Sequence, residues 1–150
     1  MLIQDMTREM SLSLVQNIRF GRIACVKDSQ PYITPLSFAY SDGYLYSFGT
    51  VGKRISWMRA NPLVCVEVET IASREEWQTV VILGRYQELT DTPDFEETRV
   101  IAHDVLATDP DWWNPGYAKT IHQGTERNIE PVYFRISIDE ISGHQGVPPR

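Results

Sequence analysis

The strongest constraint on this chain is the Asp42-Gly43 pair, since only Ser41-Asp42-Gly43 lies between the run Tyr32 to Tyr40 and the run Tyr44 to Phe48. Glycine accepts the positive φ that a primed two-residue turn demands, so the two flanking runs must lie antiparallel. Lys27-Asp-Ser-Gln30 separates Arg22-Ile-Ala-Cys-Val26 from Tyr32 in the same manner. A parallel pair would need a crossover of a dozen or more residues, which turns this short exclude. Further strand signals follow in Leu63 to Glu69, in Gln78 to Leu89 around Thr79-Val-Val-Ile82, and in Pro131 to Ile138. The pattern predicts a mainly β fold: an antiparallel, Greek-key-like barrel of about six strands with helices packed outside it.

Three helices are expected. Asp5 or Thr7 caps the first, in which Met6, Met10, Leu14 and Ile18 form an apolar stripe ending near Gly21. The second runs from Lys53 to Ala60 with Ile55, Met58 and Trp57 turned inward, and Asn61-Pro62 stops it. Thr92-Pro93-Asp94 opens the third, whose buried stripe is Phe95, Ala102, Val105 and Leu106. Thr108 to Ile129 is irregular. The stretch from Gly143, with two glycines and two prolines, reads as a flexible tail over residues 144–150. At 150 residues the chain, 1–150, makes one domain.

Charge and motif content narrow the function. The 14 basic and 20 acidic residues leave a net charge of −6, which disfavours nucleic acid and anionic membranes as partners. No apolar run approaches the ~20 residues of a membrane span, and the N-terminus lacks a secretory pattern, so a cytoplasmic protein is expected. Cys25 and Cys65 sit inside apolar runs and read as buried small hydrophobes, while His103, His122 and His144 are scattered; no metal site is expected. Nucleophile-elbow, dinucleotide and P-loop motifs are absent.

One local exception stands against the acidic surplus. From Gly43 to Val66 there is no Asp or Glu, yet Lys53, Arg54 and Arg59 fall in that stretch. Lys53-Arg54 follow Gly49-Thr50-Val51-Gly52 at a helix start, where free N–H groups and the positive dipole end favour a phosphate. A solvated helix start is the plainer alternative. Pro35 inside Tyr32 to Ser37 requires a bulge, a strand end or a free edge. Trp112-Trp113 and Tyr117 form an aromatic loop suited to covering a planar cofactor, a protein interface or the barrel end.

Taken in order, GRIACV, QPYITPLSFAY with its turn, LYSFGTVGKRISWMRANPLVCVEVE, WQTVVILGRYQELTD and VYFRISIDEISG resemble the pyridoxamine 5′-phosphate oxidase-like family of FMN-binding split barrels. The likeness is greatest to its short branch, which includes nitroimidazole-resistance-type flavoproteins. The resemblance implies an FMN-binding flavoprotein, an oxidoreductase with an unknown small-molecule substrate, assembled as a homodimer with FMN at the subunit interface. It implies that Thr34, Pro35, Leu36 and Ser37 run along the isoalloxazine ring and offer main-chain contacts. Ser47, Phe48 and Thr50 would line the ribityl and ring region, Lys53 and Arg54 would hold the phosphate, and Thr79 would hydrogen-bond the pyrimidine edge. Catalytic residues are not identified.

Two departures bear on substrate. The family's C-terminal Arg and His, which clamp a substrate phosphate, are replaced by SIDEISGHQGVPPR, and Ser37 stands where the oxidases carry a basic residue. Pyridoxamine phosphate oxidation is therefore not expected. The alternative is a non-catalytic flavin-binding or redox-sensing protein, or the same fold using a deazaflavin or heme.

Overall fold

The computed structural model describes residues 1–149; Arg150 lies outside the described residues. β1 (Leu2–Met6) precedes α1 (Arg8–Asn17), which Thr7 caps by accepting a hydrogen bond from the Met10 N–H at 3.1 Å. The expected stripe is corrected: Met6 is buried from β1, Met10 is exposed, and α1 buries Ser11, Leu14 and Val15. An added strand therefore claims residues that helical periodicity alone assigned to the helix.

β2 (Phe20–Lys27) joins β3 (Gln30–Ser37) through Asp28 and Ser29, at φ 50° and 63°. β4 (Ala39–Ser41) joins β5 (Tyr44–Thr50) through Asp42 and Gly43, at φ 45° and 85°. Then come α2 (Lys53–Ala60), β6 (Leu63–Ile71), β7 (Trp77–Leu89), α3 (Glu96–Leu106), β8 (Ile121–His122), β9 (Thr125–Glu126), β10 (Pro131–Ser137) and β11 (Glu140–Val147).

Among the described residues nine strands form one sheet system in the order β3-β2-β6-β7-β10-β5-β4, with β11 beside β7 and β1 beside β11. That is more than the six or so expected. The run Tyr32 to Tyr40 divides at Phe38, and β1 and β11 add a pair at the chain ends. The tail expectation is corrected as well, because residues 144–147 belong to β11, all four pairing with β1 and 144–146 also with β7.

β3 and β4 stand at opposite ends of the strand order yet are consecutive in sequence. Phe38 is the corner between them: its N–H donates to the Arg19 carbonyl at 3.0 Å and its ring is 2% exposed. The barrel closes through this covalent corner instead of a ladder, which leaves β3 with a free edge. Inside lies the main core, including Ile23, Leu45, Val66, Ile82 and Phe134. A second core lies outside β5 and β10, where Tyr46, Phe48 and Leu89 pack beneath Ala102 and Leu106 of α3.

β7 serves both halves of the barrel. Residues 77–85 pair with β6 and 77–83 with β11, while residues 86–89 pair with β10. Gly84 sits where the pairing changes, and a Cβ there would fall 1.8 Å from the Ser137 carbonyl oxygen. Backbone cannot yield as a flexible side chain does. Gly84→Ala is thus expected to cost about 3 kcal/mol or more, lowering the melting midpoint by roughly 6–12 °C. Gly124→Asn, in open space at φ 79°, is expected to melt within about 2 °C of the native protein. Thermal denaturation followed by circular dichroism checks both.

Candidate functional site

The start of α2 gathers the charge asymmetry into one place. Gly52 is the N-cap and offers no side-chain cap, the first turn holds no acid, and the helix presents Lys53 and Arg54 at its positive end. Arg54 is half-buried. Its Nη1 donates to the Pro35 carbonyl at 2.8 Å and to Thr34 Oγ1 at 3.3 Å, both neutral acceptors. Among the described residues it makes no ion pair. Burial pulls the Arg54 pKa below the ordinary arginine value, the sign of a cation held away from water. Lys53 Nζ lies over the Tyr32 ring at 4.4 Å and the Trp57 ring at 4.9 Å, again without a carboxylate.

β3 supplies the other wall because its edge is free. The Pro35 carbonyl is taken by Arg54, so this residue's polar groups face away from β2. That resolves the odd proline: Pro31 and Pro35 share one parity of an edge strand, where a missing N–H costs no ladder bond.

A cavity of about 440 Å³ opens between these walls, lined by Thr34, Thr50, Lys53 and Arg54 together with Thr120, His122 and Arg127. None of its described lining residues is acidic. The segment expected to be irregular thus contains a hairpin, β8-β9, turning at Gln123 and Gly124 with φ 51° and 79°. Its base is tied to β5: the Val51 N–H donates to the Glu130 carbonyl at 2.9 Å, and the Glu130 N–H to Thr50 Oγ1 at 2.8 Å. Arg59 is a different case from its neighbours. Its Nε and Nη2 donate to Glu88 at 2.7 and 3.1 Å, so it belongs to a separate ion pair. Arg127 takes its place as the third cation of the cavity. Nothing near Arg127 in sequence marks it, since 78 residues separate it from Gly49 and only the fold joins them.

A second cavity, of about 290 Å³, lies at the other end of β3, lined by Ser37, Phe48, Phe20, Arg19 and Trp112 among others. Ser37 and Phe20 face each other across the β2-β3 ladder. Ser47 and Leu36 do not reach either cavity. Ser47 is 3% exposed and its Oγ donates to the Ser37 carbonyl at 2.8 Å, bracing the strand end; the Leu36 side chain is 2% exposed in the main core. The aromatic loop packs on its own chain: Trp112 lies against Phe48 at 5.2 Å and stacks on Tyr133 at 5.9 Å.

Thr79 stands apart from both cavities. It lies on β7, where its Oγ1 donates to Glu67 Oε2 at 2.8 Å, opposite Glu69 on one side and His144 on the other. Burial raises the Glu67 pKa; the Thr79 bond lowers it, and neighbouring Glu69 adds to the rise. These residues occupy the outward face of the sheet. The same face carries a row running Ile33, Ala24, Cys65 and Leu83 through the paired strands, with Ile33 61% and Leu83 46% exposed. Cys25 is buried on the inner face as expected, whereas Cys65 is half-buried on this outer one. Among the described residues no helix is long and apolar enough to cross a membrane, and no group of His, Cys, Asp and Glu could hold a metal ion.

Comparison with known proteins identifies the fold and the family. A crystal structure of a protein from Mesorhizobium loti, described as FAD-binding, is 38% identical, with 99% of each chain covered and a TM-score of 0.78. An uncharacterized protein of Rhizobium meliloti (strain 1021) is 37% identical over 143 residues, 95% of each chain. A Bacteroides thetaiotaomicron structure, described as a 5-nitroimidazole antibiotic resistance protein, shares the fold at a TM-score of 0.67 and 14% identity, covering 97% of this chain and 89% of its own. The family model described as pyridoxamine 5′-phosphate oxidase matches residues 7–145. This split-barrel chain, with its cationic cavity on a free strand edge, belongs to the pyridoxamine 5′-phosphate oxidase family.

Proposed function

We propose that the protein is a flavin-dependent oxidoreductase that holds an FMN moiety along β3, with its phosphate in the cavity of Lys53, Arg54 and Arg127. The carrying observation is Arg54, a half-buried guanidinium with only neutral acceptors, beside two further cations and a helix start. A buried charge without a counter-charge is costly, and a phosphate dianion at this point supplies the missing partner. The description of the Mesorhizobium loti chain as FAD-binding supports a flavin here, since both dinucleotide and mononucleotide carry that moiety.

The flavin, when bound, supplies hydride or electron transfer. The protein's own residues bind and orient it. Lys53 and Arg54 anchor one end, and the free polar groups of β3 between Thr34 and Ser37 run toward the cavity beside Phe48. Phe48, Phe20 and Trp112 give that second cavity an aromatic wall, with Arg19, Asp109 and Asp111 as its charged groups, where a small substrate would meet the ring. Ser37 carries no charge, and His144 lies on the outer sheet face, 3.3 Å from Asp5. Neither supplies a second phosphate clamp, which favours a small-molecule substrate other than pyridoxamine 5′-phosphate.

The working form is a homodimer built on the outer sheet face, with the flavin at the interface. The exposed row from Ile33 to Leu83 supports this, because an apolar stripe on an open sheet face is poorly served by water. It also gives Thr79 a place, since only across that face would its hydroxyl meet a flavin edge.

Purified protein is expected to show the visible flavin absorbance, bleached by a chemical or nicotinamide reductant; a colourless protein that FMN cannot reconstitute overturns the reading. Lys53→Ala with Arg54→Ala removes two charge-assisted contacts of about 1.5–3 kcal/mol each and is expected to weaken FMN by roughly two orders of magnitude or more. Fluorescence titration measures it, and unchanged affinity would refute the phosphate assignment. Sedimentation is expected to give twice the monomer mass for the native protein. Ile33→Asp with Leu83→Asp is expected to sediment as a monomer, and a dimer surviving both changes would place the interface elsewhere.

A further inference from the structure

Two cavities meet at Phe48 and Trp112. One lies at the Ser37 end of β3; the other, of about 500 Å³, takes no part in the flavin reading. Five aromatic rings line it, those of Phe48, Trp112, Trp113, Tyr117 and Tyr133, and Arg99 is its one charged group among the described residues. The inner rings are fixed: Phe48 lies 4.7 Å from Tyr133 and 5.2 Å from Trp112, all within the second core. The outer rings are placed by the loop that carries them. Gly116 rests so closely on Phe48 that a Cβ there would collide with the ring, and its N–H donates to the Trp113 carbonyl at 3.1 Å. Trp113 and Tyr117 are nonetheless 48% and 53% exposed. Two large aromatics held in water beside three packed ones form an open slot for a small flat ring.

Arg99 decides the charge of the occupant. Its Nη1 donates to the Leu89 carbonyl at 2.7 Å and its guanidinium lies 4.9 Å from the Tyr133 ring centre, so both contacts are to neutral groups. Among the described residues it makes no ion pair. The bond through Nη1 leaves the Nε and Nη2 donors, the edge of a guanidinium that meets a carboxylate with two parallel hydrogen bonds. A cationic ring would find no acid here to pair with.

We infer that this cavity is a binding site for a small aromatic carboxylate, its ring against Trp113, Tyr117 and Phe48 and its carboxylate on Arg99. A lone guanidinium matches one carboxylate in charge and shape, whereas the three cations that suit a phosphate dianion line a different cavity. The site depends on no flavin. Because Phe48 and Trp112 line both cavities, its ligand sits against the same two rings that wall the cavity at Ser37.

Calorimetric titration of the whole protein with phenylacetate, phenylacetamide and acetate tests this. Phenylacetate is expected to bind roughly 10-fold or more tighter than phenylacetamide, as one charge-assisted contact implies, and acetate to show no binding at the same concentrations. Arg99→Gln is expected to bring the acid and the amide within about 2-fold of each other. Trp113→Ala with Tyr117→Ala is expected to weaken both by roughly 10-fold, through exposed side chains whose loss spares the fold, and circular dichroism verifies that each variant folds. Equal affinity for acid and amide, no binding of either, or a preference that survives Arg99→Gln overturns the assignment. Saturation with FMN is expected to leave the phenylacetate affinity within about 2-fold, and its abolition would make the cavity part of the flavin site and overturn the assignment too. Phenylacetate binding by a protein that takes up no FMN would uphold this site and remove the flavin reading alone.

Discussion

The whole architecture hangs on β7 passing from one half of the barrel to the other. Its first nine residues pair with β6 and its last four with β10, and the change of partner brings Gly84 against the Ser137 carbonyl. A side chain at that point would push the two halves apart. Because β7 spans both, the barrel needs no ladder between β3 and β4, and the Phe38 corner can close it covalently. The unpaired edge that remains is the one along which the candidate site is built.

That edge, the start of α2 and the β8-β9 hairpin come from three distant parts of the chain, and each contributes one kind of group. β3 offers a carbonyl and a hydroxyl, α2 two cations and a dipole, and the hairpin a third cation. Arg54 connects them, reaching from the helix to Thr34 and Pro35 on the strand. Among the described residues its partly desolvated charge meets only neutral acceptors, and the contacts that hold it are ones the barrel makes for its own stability.

Local signals in the sequence carried much of this. The Asp42-Gly43 turn, the 53–60 helix and the antiparallel meander are decided by residues within a few positions of each other, where turn chemistry and periodicity act. The adjacent cations Lys53-Arg54, in a stretch without acids, were legible for the same reason. What escaped depends on tertiary pairing. β11 is poor in strand-forming residues, with two glycines in Glu140–Val147, and it is a strand because β1 and β7 flank it. Gly143 admits the close approach of Ser11 of α1, a reason for glycine that has nothing to do with flexibility. Arg59 looked like a partner of Arg54 until Glu88, on β7, claimed it, and Arg127 joined the cavity from a hairpin whose strands are two residues each.

The free edge of β3 carries a hazard that the two prolines answer. An open strand edge is a template on which another extended chain can add, the first step of sheet-to-sheet aggregation. Pro31 and Pro35 remove two outward N–H groups four residues apart, so an incoming strand would find its ladder broken at both ends of the exposed stretch. A compact ligand that takes single carbonyls and hydroxyls has no need of a continuous ladder. The same two residues thereby leave single polar groups open on the edge while turning away a polypeptide.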